Sequence, residues 1–348
     1  MVSSLQRILF TARQGARVAW FYSHYLAAQK RQAPPKTTSG KPFRPQNPTP
    51  DRAVLMRDLA GLFERDLKNA DKGIYAVPVD HDGSPLSILS KSRAFFNDLS
   101  EVNRRRLERD VHEVRELEIE SDLPGYFTQN FHFQTGGYLT EDSARLYDMQ
   151  VEVLFTGAAN AMRRQALVPL AEYMTHKDQR RVRLADVACG TGRFLRFVKK
   201  TYPRLPVTGL DLSQAYLDEA EHHLKQYSGI KLLAANAENM PLGDGSQDVV
   251  TAIFLFHELP PKIRKIVAFD IARCLKPGGR FIFVDSIQNG DAEGYDGLLE
   301  LFEAGFHEPY MSSYVGEDFV KMFGDAGLEY KSQDRAFLSK VMVFDKPG

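Results

Sequence analysis

The sequence predicts an α/β fold that is built on a mostly parallel sheet and preceded by a mainly helical region. From residue 182 onward, short β-rich runs alternate with helical runs. This alternation is typical of a parallel sheet that carries helices on both faces. The last two β-rich runs, 328–335 and 337–345, have no helix between them, and they predict a closing antiparallel pair.

The pattern of apolar residues predicts where each element lies. Strands are predicted over the runs richest in β-branched and aromatic residues, namely 182–187, 207–210, 230–234, 249–254 and 280–285. Helices are predicted between and after them, over 192–200, 213–227, 261–276 and 316–326. Upstream, helices are predicted over 51–70, 100–120 and 141–175, whereas residues 74–89 show no regular pattern.

Residues 3–31 are predicted to form a basic helix. Its apolar face is predicted to consist of Leu5, Ile8, Leu9, Ala12, Ala16, Ala19 and Trp20. The first fifty residues contain eight lysines and arginines, and the first acidic residue is Asp51. The favoured interpretation is a helix packed on the body of the protein, or on a second subunit in a homodimer. The alternatives are a peripheral membrane helix, with Trp20, Phe21 and Tyr22 at the headgroups, and a transit peptide.

The chain is predicted to divide into three parts. Residues 1–50 comprise the basic helix and a proline-rich linker that cannot bury a core. Residues 51–145 form a mainly helical cap or substrate region. Residues 146–348 form the domain that contains the sheet.

The composition disfavours several classes of protein. The 348 residues include 45 Lys and Arg and 45 Asp and Glu, so no overall charge favours nucleic acid. Cys189 and Cys274 are too few for a disulfide framework and lack the neighbours of a structural zinc site. We therefore expect a cytoplasmic protein without a bound metal. No run of about 18 apolar residues predicts a transmembrane helix.

A glycine turn follows the first predicted strand. The strand contains Asp186 and leads to Gly190 and Gly192, where the absence of a Cβ atom lets a ligand approach the backbone. A dinucleotide fingerprint requires a third glycine where this chain has Leu195. A carboxylate at Asp186 also suits a cationic ligand better than a phosphate. An NAD-dependent enzyme is therefore disfavoured.

Polar residues follow the next two strands. Asp211 comes after the second strand, at the place where a carboxylate can accept hydrogen bonds from both ribose hydroxyls. Its alternative role is to cap the following helix. Asn236 and Ala237 come after the third strand, where a polar and a small residue can bind an adenine edge.

Residues 182–286 resemble the class I S-adenosylmethionine (SAM)-dependent methyltransferases. The resemblance rests on five motifs in order, namely Asp186–Gly192, Asp211, Asn236-Ala237, His257-Glu258 and Leu275–Gly279. Two positions depart from the family pattern, because Ala188 replaces the first glycine of the loop and Asn236 replaces an acid. The chain is most similar to the small-molecule members that include quinone and sterol C-methyltransferases.

The resemblance implies a Rossmann-like, seven-stranded sheet, mostly parallel, with an antiparallel terminal hairpin. It also implies SAM as the cofactor. The residues that it assigns to the cofactor are Asp186, Ala188, Gly190, Thr191, Gly192, Asp211, Leu212, Asn236, Ala237 and Phe254.

The methyl acceptor is expected beside the end of the fourth strand. His257 lies there and is a candidate general base, although it can instead cap the strand end or pack near the adenosine. Two aromatic segments, 126–139 and 287–315, are expected to shape the acceptor pocket, since long connections of this kind are commonly functional. The candidate contacts are Tyr126, Phe131, His132, Tyr138, His307 and Tyr310. Their alternative role is to fill the core of a helical cap.

We therefore expect a methyltransferase that acts on an oxygen or carbon atom of a small aromatic or lipophilic acceptor. A catalytically silent assembly partner is one alternative, which the cofactor motifs disfavour. A nucleic-acid methyltransferase that uses the basic arm is another. The core lacks an Asn-Pro-Pro-Tyr type of signature, and the arm is too apolar for a simple phosphate-binding tail, so no nucleic-acid partner is expected.

Overall fold

A seven-stranded sheet with strand order β3-β2-β1-β4-β5-β7-β6 forms the centre of the computed structural model, which describes residues 2–32, 41–80, 82–117 and 123–348. The strands are β1 (Leu184–Val187), β2 (Val207–Asp211), β3 (Ile230–Ala234), β4 (Gln247–Ile253), β5 (Leu275–Ser286), β6 (Glu329–Ala336) and β7 (Ser339–Asp345). Strands β1 to β5 pair in parallel, and β7 pairs antiparallel with both β5 and β6. The predicted sheet and its terminal hairpin are confirmed.

Alternate residues of the central strands enter two separate apolar cores. Val250 and Phe283 lie in one core, whereas Val249 and Ile282 lie in the other. Because successive side chains of a strand point to opposite faces, this division shows that both faces of the sheet are covered. The helices that cover them are α7 (Arg193–Thr201), α8 (Gln214–Leu224), α9 (Pro261–Cys274), α10 (Asp296–Gly305), α11 (Met311–Tyr314) and α12 (Phe319–Asp325), following α1 to α6 of the N-terminal half.

The N-terminal half is mainly helical, as predicted, but two boundaries differ. Its helices are α1 (Ser4–Arg31), α2 (Arg52–Asp71), α3 (Pro85–Glu108), α4 (Glu141–Leu154), α5 (Ala159–Arg164) and α6 (Leu167–Met174). The helix predicted over 100–120 is misplaced. Ser84 caps the start of α3, and the left-handed Arg109 ends it. Residues 118–122 lie outside the described part of the chain.

The helix predicted over 141–175 is divided. Thr156 and Gly157 have φ values of 54° and 82°, which interrupt the helical backbone between α4 and α5.

Part of the predicted linker contacts α10. Gly297 of α10 donates a backbone hydrogen bond to Pro48, while residues 33–40 of the linker lie outside the described residues.

The apolar face predicted for α1 is the face that points to solvent. Leu5 and Ile8 are 66% and 65% exposed, whereas Phe10 and Phe21 on the opposite side are buried. Arg17 fixes this orientation, because its guanidinium lies 2.8 Å from Asp82 and 3.3 Å from Glu152. Among the described residues, no helix combines the length and the apolar character that crossing a bilayer requires.

A buried ion network joins the N-terminal helices to the sheet domain. Arg164 of α5 contacts Asp66 of α2 and Asp80 of the following loop, each at 2.6 Å, and all three side chains are at most 3% exposed. Burial would raise the pKa of Asp80, but Arg164 and Arg17 hold it below the ordinary value. Ions that leave water remain stable only when they are paired, so these contacts determine how α2 and α5 dock.

Replacing Arg164 by methionine should lower the free energy of unfolding by about 3–5 kcal/mol, because Asp66 and Asp80 then remain buried without their counter-charge. Urea denaturation of wild type and variant measures the difference. Arg145→Ala is the control, since this arginine of α4 is 60% exposed and pairs only on the surface, with an expected cost below about 1 kcal/mol. An equally small cost for the methionine variant would contradict the proposed role of the network.

Candidate active site

A cavity opens at the carboxyl ends of β1 to β4. It contains about 860 Å³ of empty space, part of which is open to solvent. Beneath it, Asp186 of β1 aligns with Gly209 of β2 and with Thr251 of β4. Ten of the predicted site residues line it, namely Tyr126, Phe131, Tyr138, Ala188, Gly190, Asp211, Leu212, Asn236, Ala237 and Phe254.

The two glycines of the loop after β1 meet different requirements. Both have positive φ, 54° at Gly190 and 72° at Gly192. A Cβ atom on Gly190 would meet no atom within 4 Å, so its backbone is open toward the cavity. A Cβ atom on Gly192 would lie 2.8 Å from Leu224, so this glycine permits α8 to pack against the loop.

Two non-glycine residues at the strand ends adopt left-handed backbone conformations. Ala188 after β1 has φ 55°, and Phe254 after β4 has φ 59°. Residues with a Cβ atom rarely occupy this region, and such strain concentrates at functional sites. The conformation of Ala188 explains why the family pattern has glycine at this position.

Asp211 and Asp186 present carboxylates in different ways. Asp211 lines the cavity and accepts hydrogen bonds from the backbone of Gly190 at 2.8 Å and Ser213 at 2.9 Å. Asp186 does not line the cavity, and it accepts a hydrogen bond from Thr251 at 2.5 Å. Burial raises the pKa of Asp186 to about 7. Both carboxylates would be better accommodated with a cationic ligand beside them.

The end of β3 is shaped by hydrogen bonds rather than by a free polar group. The side-chain oxygen of Asn236 accepts a bond from the backbone of Glu238, and the Tyr126 hydroxyl donates to the Glu238 carboxylate at 2.8 Å. Thr191 and Gly192 do not line the cavity, because Thr191 donates to Asp148 of α4 and Gly192 packs on α8.

Aromatic rings form the wall opposite the strands. Tyr138 lies at their centre, with its ring centroid 5.2 Å from Phe131 and 5.6 Å from Tyr216. Tyr147 of α4 packs on Tyr216 and also lines the cavity. Neither Tyr147 nor Tyr216 is predicted as a site residue from the sequence. The position of Tyr216 one turn after the Ser213 cap was a usable signal, since the first turn of a helix lies beside the preceding strand end.

A cluster of charged side chains lies at one end of this wall. The Glu258 carboxylate lines the cavity and accepts a hydrogen bond from Tyr138 at 2.7 Å. His132 lies 3.2 Å from Glu258 through Nε2 and 2.9 Å from Glu308 through Nδ1. Burial would raise the pKa of Glu258, but the neighbouring His132 and His257 lower it, so Glu258 is ionised.

His257 lies behind Glu258 and does not line the cavity. Its Nδ1 is 2.5 Å from the buried Asp285, and its Nε2 is 3.6 Å from Glu258. Burial would lower the pKa of His257, but Asp285 raises it to about 9, so the ring carries a proton at neutral pH. A protonated, shielded imidazole cannot accept a proton from an acceptor, and this geometry favours Glu258 over His257 for that role.

Three other predicted acceptor contacts lie behind the aromatic wall. His307 is hydrogen-bonded to Gln129 at 2.8 Å, and burial lowers its pKa to about 4. Tyr310 receives a bond from Arg264 on its backbone oxygen. The backbone of His132 donates to His307 at 3.0 Å, which joins the two aromatic segments. These residues support the wall, while Tyr126, Phe131 and Tyr138 form its surface.

Comparison with known proteins agrees with this geometry. A family model described as a methyltransferase domain matches residues 184–279. The ubiquinone/menaquinone biosynthesis C-methyltransferase UbiE of Methylobacterium nodulans is 32% identical over 178 residues, which cover 50% of this chain and 68% of that protein. The chain belongs to the class I SAM-dependent methyltransferases.

Other relatives of this methyltransferase differ in their acceptors. The demethylmenaquinone methyltransferase of Thermotoga maritima is 27% identical over 51% of this chain and 72% of its own. The malonyl-[acyl-carrier protein] O-methyltransferase of Alcanivorax borkumensis is 30% identical over 41% of this chain and 49% of its own.

A SAM-dependent methyltransferase structure from Aquifex aeolicus covers 52% of this chain and 88% of its own, with 18% identity and a TM-score of 0.40.

The cofactor of the methyltransferase is SAM, and the strand ends fit it. The cavity joins an open backbone at Gly190, a carboxylate at Asp211 and the small Ala237 along one edge of the sheet. These are the groups that a ligand with a ribose, an adenine and a cationic centre requires. Their assignment to individual parts of SAM stays a prediction.

Replacing Ala188 by glycine should leave SAM affinity within about threefold of wild type and preserve stability, since relief of the left-handed strain offsets the extra entropy of glycine. Replacing it by valine should cost about 1–3 kcal/mol and weaken SAM binding, because a β-branched residue tolerates this conformation poorly. Isothermal titration calorimetry and urea denaturation measure both quantities. Equal behaviour of the two variants would show that the backbone at residue 188 is not constrained.

Proposed function

We propose that this methyltransferase transfers the SAM methyl group to an oxygen or carbon atom of a small hydroxylated aromatic acceptor, such as a quinol. The single observation that supports this most directly is that Glu258 lines the cavity beside the aromatic rings of Phe131, Tyr138 and Tyr147. An aromatic wall suits a flat ring, and a carboxylate suits a ring hydroxyl.

The relatives support the same class of acceptor. Two of them carry names that refer to demethylmenaquinone, or to ubiquinone and menaquinone biosynthesis, and each aligns with about half of this chain. The malonyl-[acyl-carrier protein] relative is named for an acyl acceptor. The aromatic rings around Tyr138 favour the ring acceptor over the acyl acceptor in this chain.

Glu258 is the residue best placed to act on the acceptor. Bound SAM supplies an electrophilic methyl group, so the protein needs to align the acceptor and increase its electron density. Glu258 Oε1 is held by Tyr138, while Oε2 is buried and accepts no hydrogen bond from the described residues. This unpaired oxygen would accept the proton of an acceptor hydroxyl that reached it. Fixed alignment of the reacting atoms can then supply ~7–11 kcal/mol of the barrier reduction.

His257 and Asp285 position the Glu258 carboxylate. Asp285 accepts a backbone hydrogen bond from Phe256 at 2.8 Å, which fixes the turn between β4 and Glu258. The His257 imidazolium lies between Asp285 and Glu258 and keeps Glu258 ionised. The sequence predicts His257 as the general base. Because His257 lies behind Glu258, we propose instead that it positions the Glu258 carboxylate.

The silent assembly partner and the nucleic-acid enzyme remain less well supported. A silent protein would not need an unpaired carboxylate beside a cavity. A nucleic-acid enzyme would need basic residues around the cavity, and the described residues that line it include no lysine or arginine.

Replacing Glu258 by glutamine should lower kcat at least a hundredfold and leave SAM affinity nearly unchanged, because loss of a proton acceptor affects the chemical step. The purified protein is incubated with isotope-labelled SAM and a panel of reduced naphthoquinols, benzoquinols and malonyl thioesters. Mass spectrometry then identifies the labelled product.

Glu303→Gln is the matched control, since Glu303 is exposed on α10 and should have no effect. Methylation of the thioester alone would overturn the proposed acceptor class. Full activity of the Glu258→Gln variant would overturn the proposed role of Glu258.

We also propose that the exposed face of α1 binds an anionic membrane surface, where a lipophilic acceptor would be available. Leu5, Ile8 and Leu9 are 66%, 65% and 43% exposed. Arg13 of the same helix is also exposed, and the first fifty residues contain no acid, which suits anionic headgroups. The same exposed face could instead form a homodimer.

Replacing Leu5 and Ile8 together by serine should abolish flotation with vesicles that contain anionic lipid, without changing the melting temperature, because both side chains point away from the protein. Leu59→Ser is the comparison variant. Because Leu59 of α2 is buried, this substitution should lower the melting temperature. Retained flotation would contradict membrane binding. Loss of a dimer in analytical ultracentrifugation, with no vesicle binding by wild type, would assign the face to self-association.

A further inference from the structure

The cluster formed by His132, Glu258 and Glu308 contains more negative than positive charge. His132 can carry one positive charge and lies between two carboxylates, at 3.2 Å from Glu258 and 2.9 Å from Glu308. The nearby His257 does not supply the missing charge, because it is paired with Asp285 at 2.5 Å. One of the two glutamates therefore has no cationic partner of its own.

The carboxylate oxygens of this cluster also lack hydrogen-bond donors. The Glu308 side chain is fully buried, and neither of its oxygens accepts a hydrogen bond from the described residues, since the 2.9 Å contact with His132 is poorly aligned. Glu258 Oε2 is buried and likewise without a donor. A buried carboxylate without partners is costly, so a group that binds these oxygens would be strongly favoured.

We propose that His132, Glu258 and Glu308 bind a divalent metal ion. One ligand atom from each residue lies within 4.8 Å of the others. Metal–ligand distances of about 2.1 Å place neighbouring ligand atoms about 3–4 Å apart, so a small closure of the side chains brings all three ligands within reach of one ion. Two carboxylates and one neutral imidazole balance a divalent charge. This donor set favours Mn²⁺, Fe²⁺ or Zn²⁺ over Ca²⁺.

The backbone holds the three ligands in place from distant parts of the chain. His132 has a left-handed φ of 55°, and its N–H donates to the carbonyl of His307, the residue before Glu308. Glu258 follows β4, and its turn is fixed by Asp285. This rigidity matters for binding, because a preformed site does not need to be ordered by the ion.

The position of the metal relative to the cavity suggests the class of acceptor. Glu258 lines the cavity and Glu308 is buried, so an ion held by both residues would lie at the edge of the cavity. An ion there would bind an acceptor with two neighbouring oxygens, such as a vicinal dihydroxy or hydroxy-keto ring. This last step rests on the proposed function, whereas the metal site itself does not.

Electron paramagnetic resonance of Mn²⁺ tests the site on the full-length protein. Bound Mn²⁺ loses the sharp spectrum of the free aqueous ion, so a titration gives affinity and stoichiometry. Wild type should bind one ion, and Glu308→Gln should weaken its affinity at least tenfold. Glu303→Gln, a surface change of the same chemistry on α10, should bind as wild type does.

Thermal unfolding distinguishes the metal from a proton shared between the carboxylates. Mn²⁺ should raise the melting temperature of wild type, and EDTA should reverse the rise, with neither effect in Glu308→Gln. No stoichiometric binding at millimolar Mn²⁺ or Zn²⁺, or equal binding by the Glu308 variant, would overturn the site. Either result can occur with SAM binding and methyl transfer intact, so failure of the metal site is separable from failure of the proposed function.

Discussion

The pairing of buried charges is the constraint on which the rest of this structure depends. Arg164 joins Asp66 and Asp80 in the interior, and Arg17 fixes α1 beside them. An unpaired ion in these positions would cost several kcal/mol, so the N-terminal helices can dock in only one way. This docking contributes to the cavity, because α4 lies between α1 and α8 and carries Tyr147.

The same constraint explains the chemistry of the site. Asp285 requires a cation and His257 supplies it, while His132 and His257 together lower the pKa of Glu258, which stays ionised beside the cavity. The protonation state of each group therefore depends on its neighbours. Among the described residues, the cluster around Glu308 is one place where this pairing is incomplete, and this is the basis of the metal ion proposed there.

The sheet, and the carboxyl edge at which SAM is expected to bind, could be predicted from sequence because local patterns indicate them. Short β-rich runs and the glycine turn are signals within a few residues. The buried face of α1 could not be predicted in this way. Hydrophobicity favoured Leu5 and Ile8, whereas the ion pairs of Arg17 with Asp82 and Glu152 decided the orientation.

The aromatic wall of the cavity was predicted only in part for the same reason. Aromatic density identified Tyr126, Phe131 and Tyr138, but Tyr147 lies in α4 with no local signal. The roles of His257 and Glu258 depend on Asp285, which lies on another strand. Long-range charge pairing has no sequence pattern, so the structure was needed to distinguish the residue that faces the cavity from the one that supports it.

A crystal structure of the protein with S-adenosylhomocysteine and a quinol tests the central claim most directly. The account predicts that the ribose hydroxyls bind Asp211, and that the sulfur points toward a quinol whose hydroxyl contacts Glu258. A quinol bound away from Glu258, or a sulfur directed toward a different wall of the cavity, would contradict it.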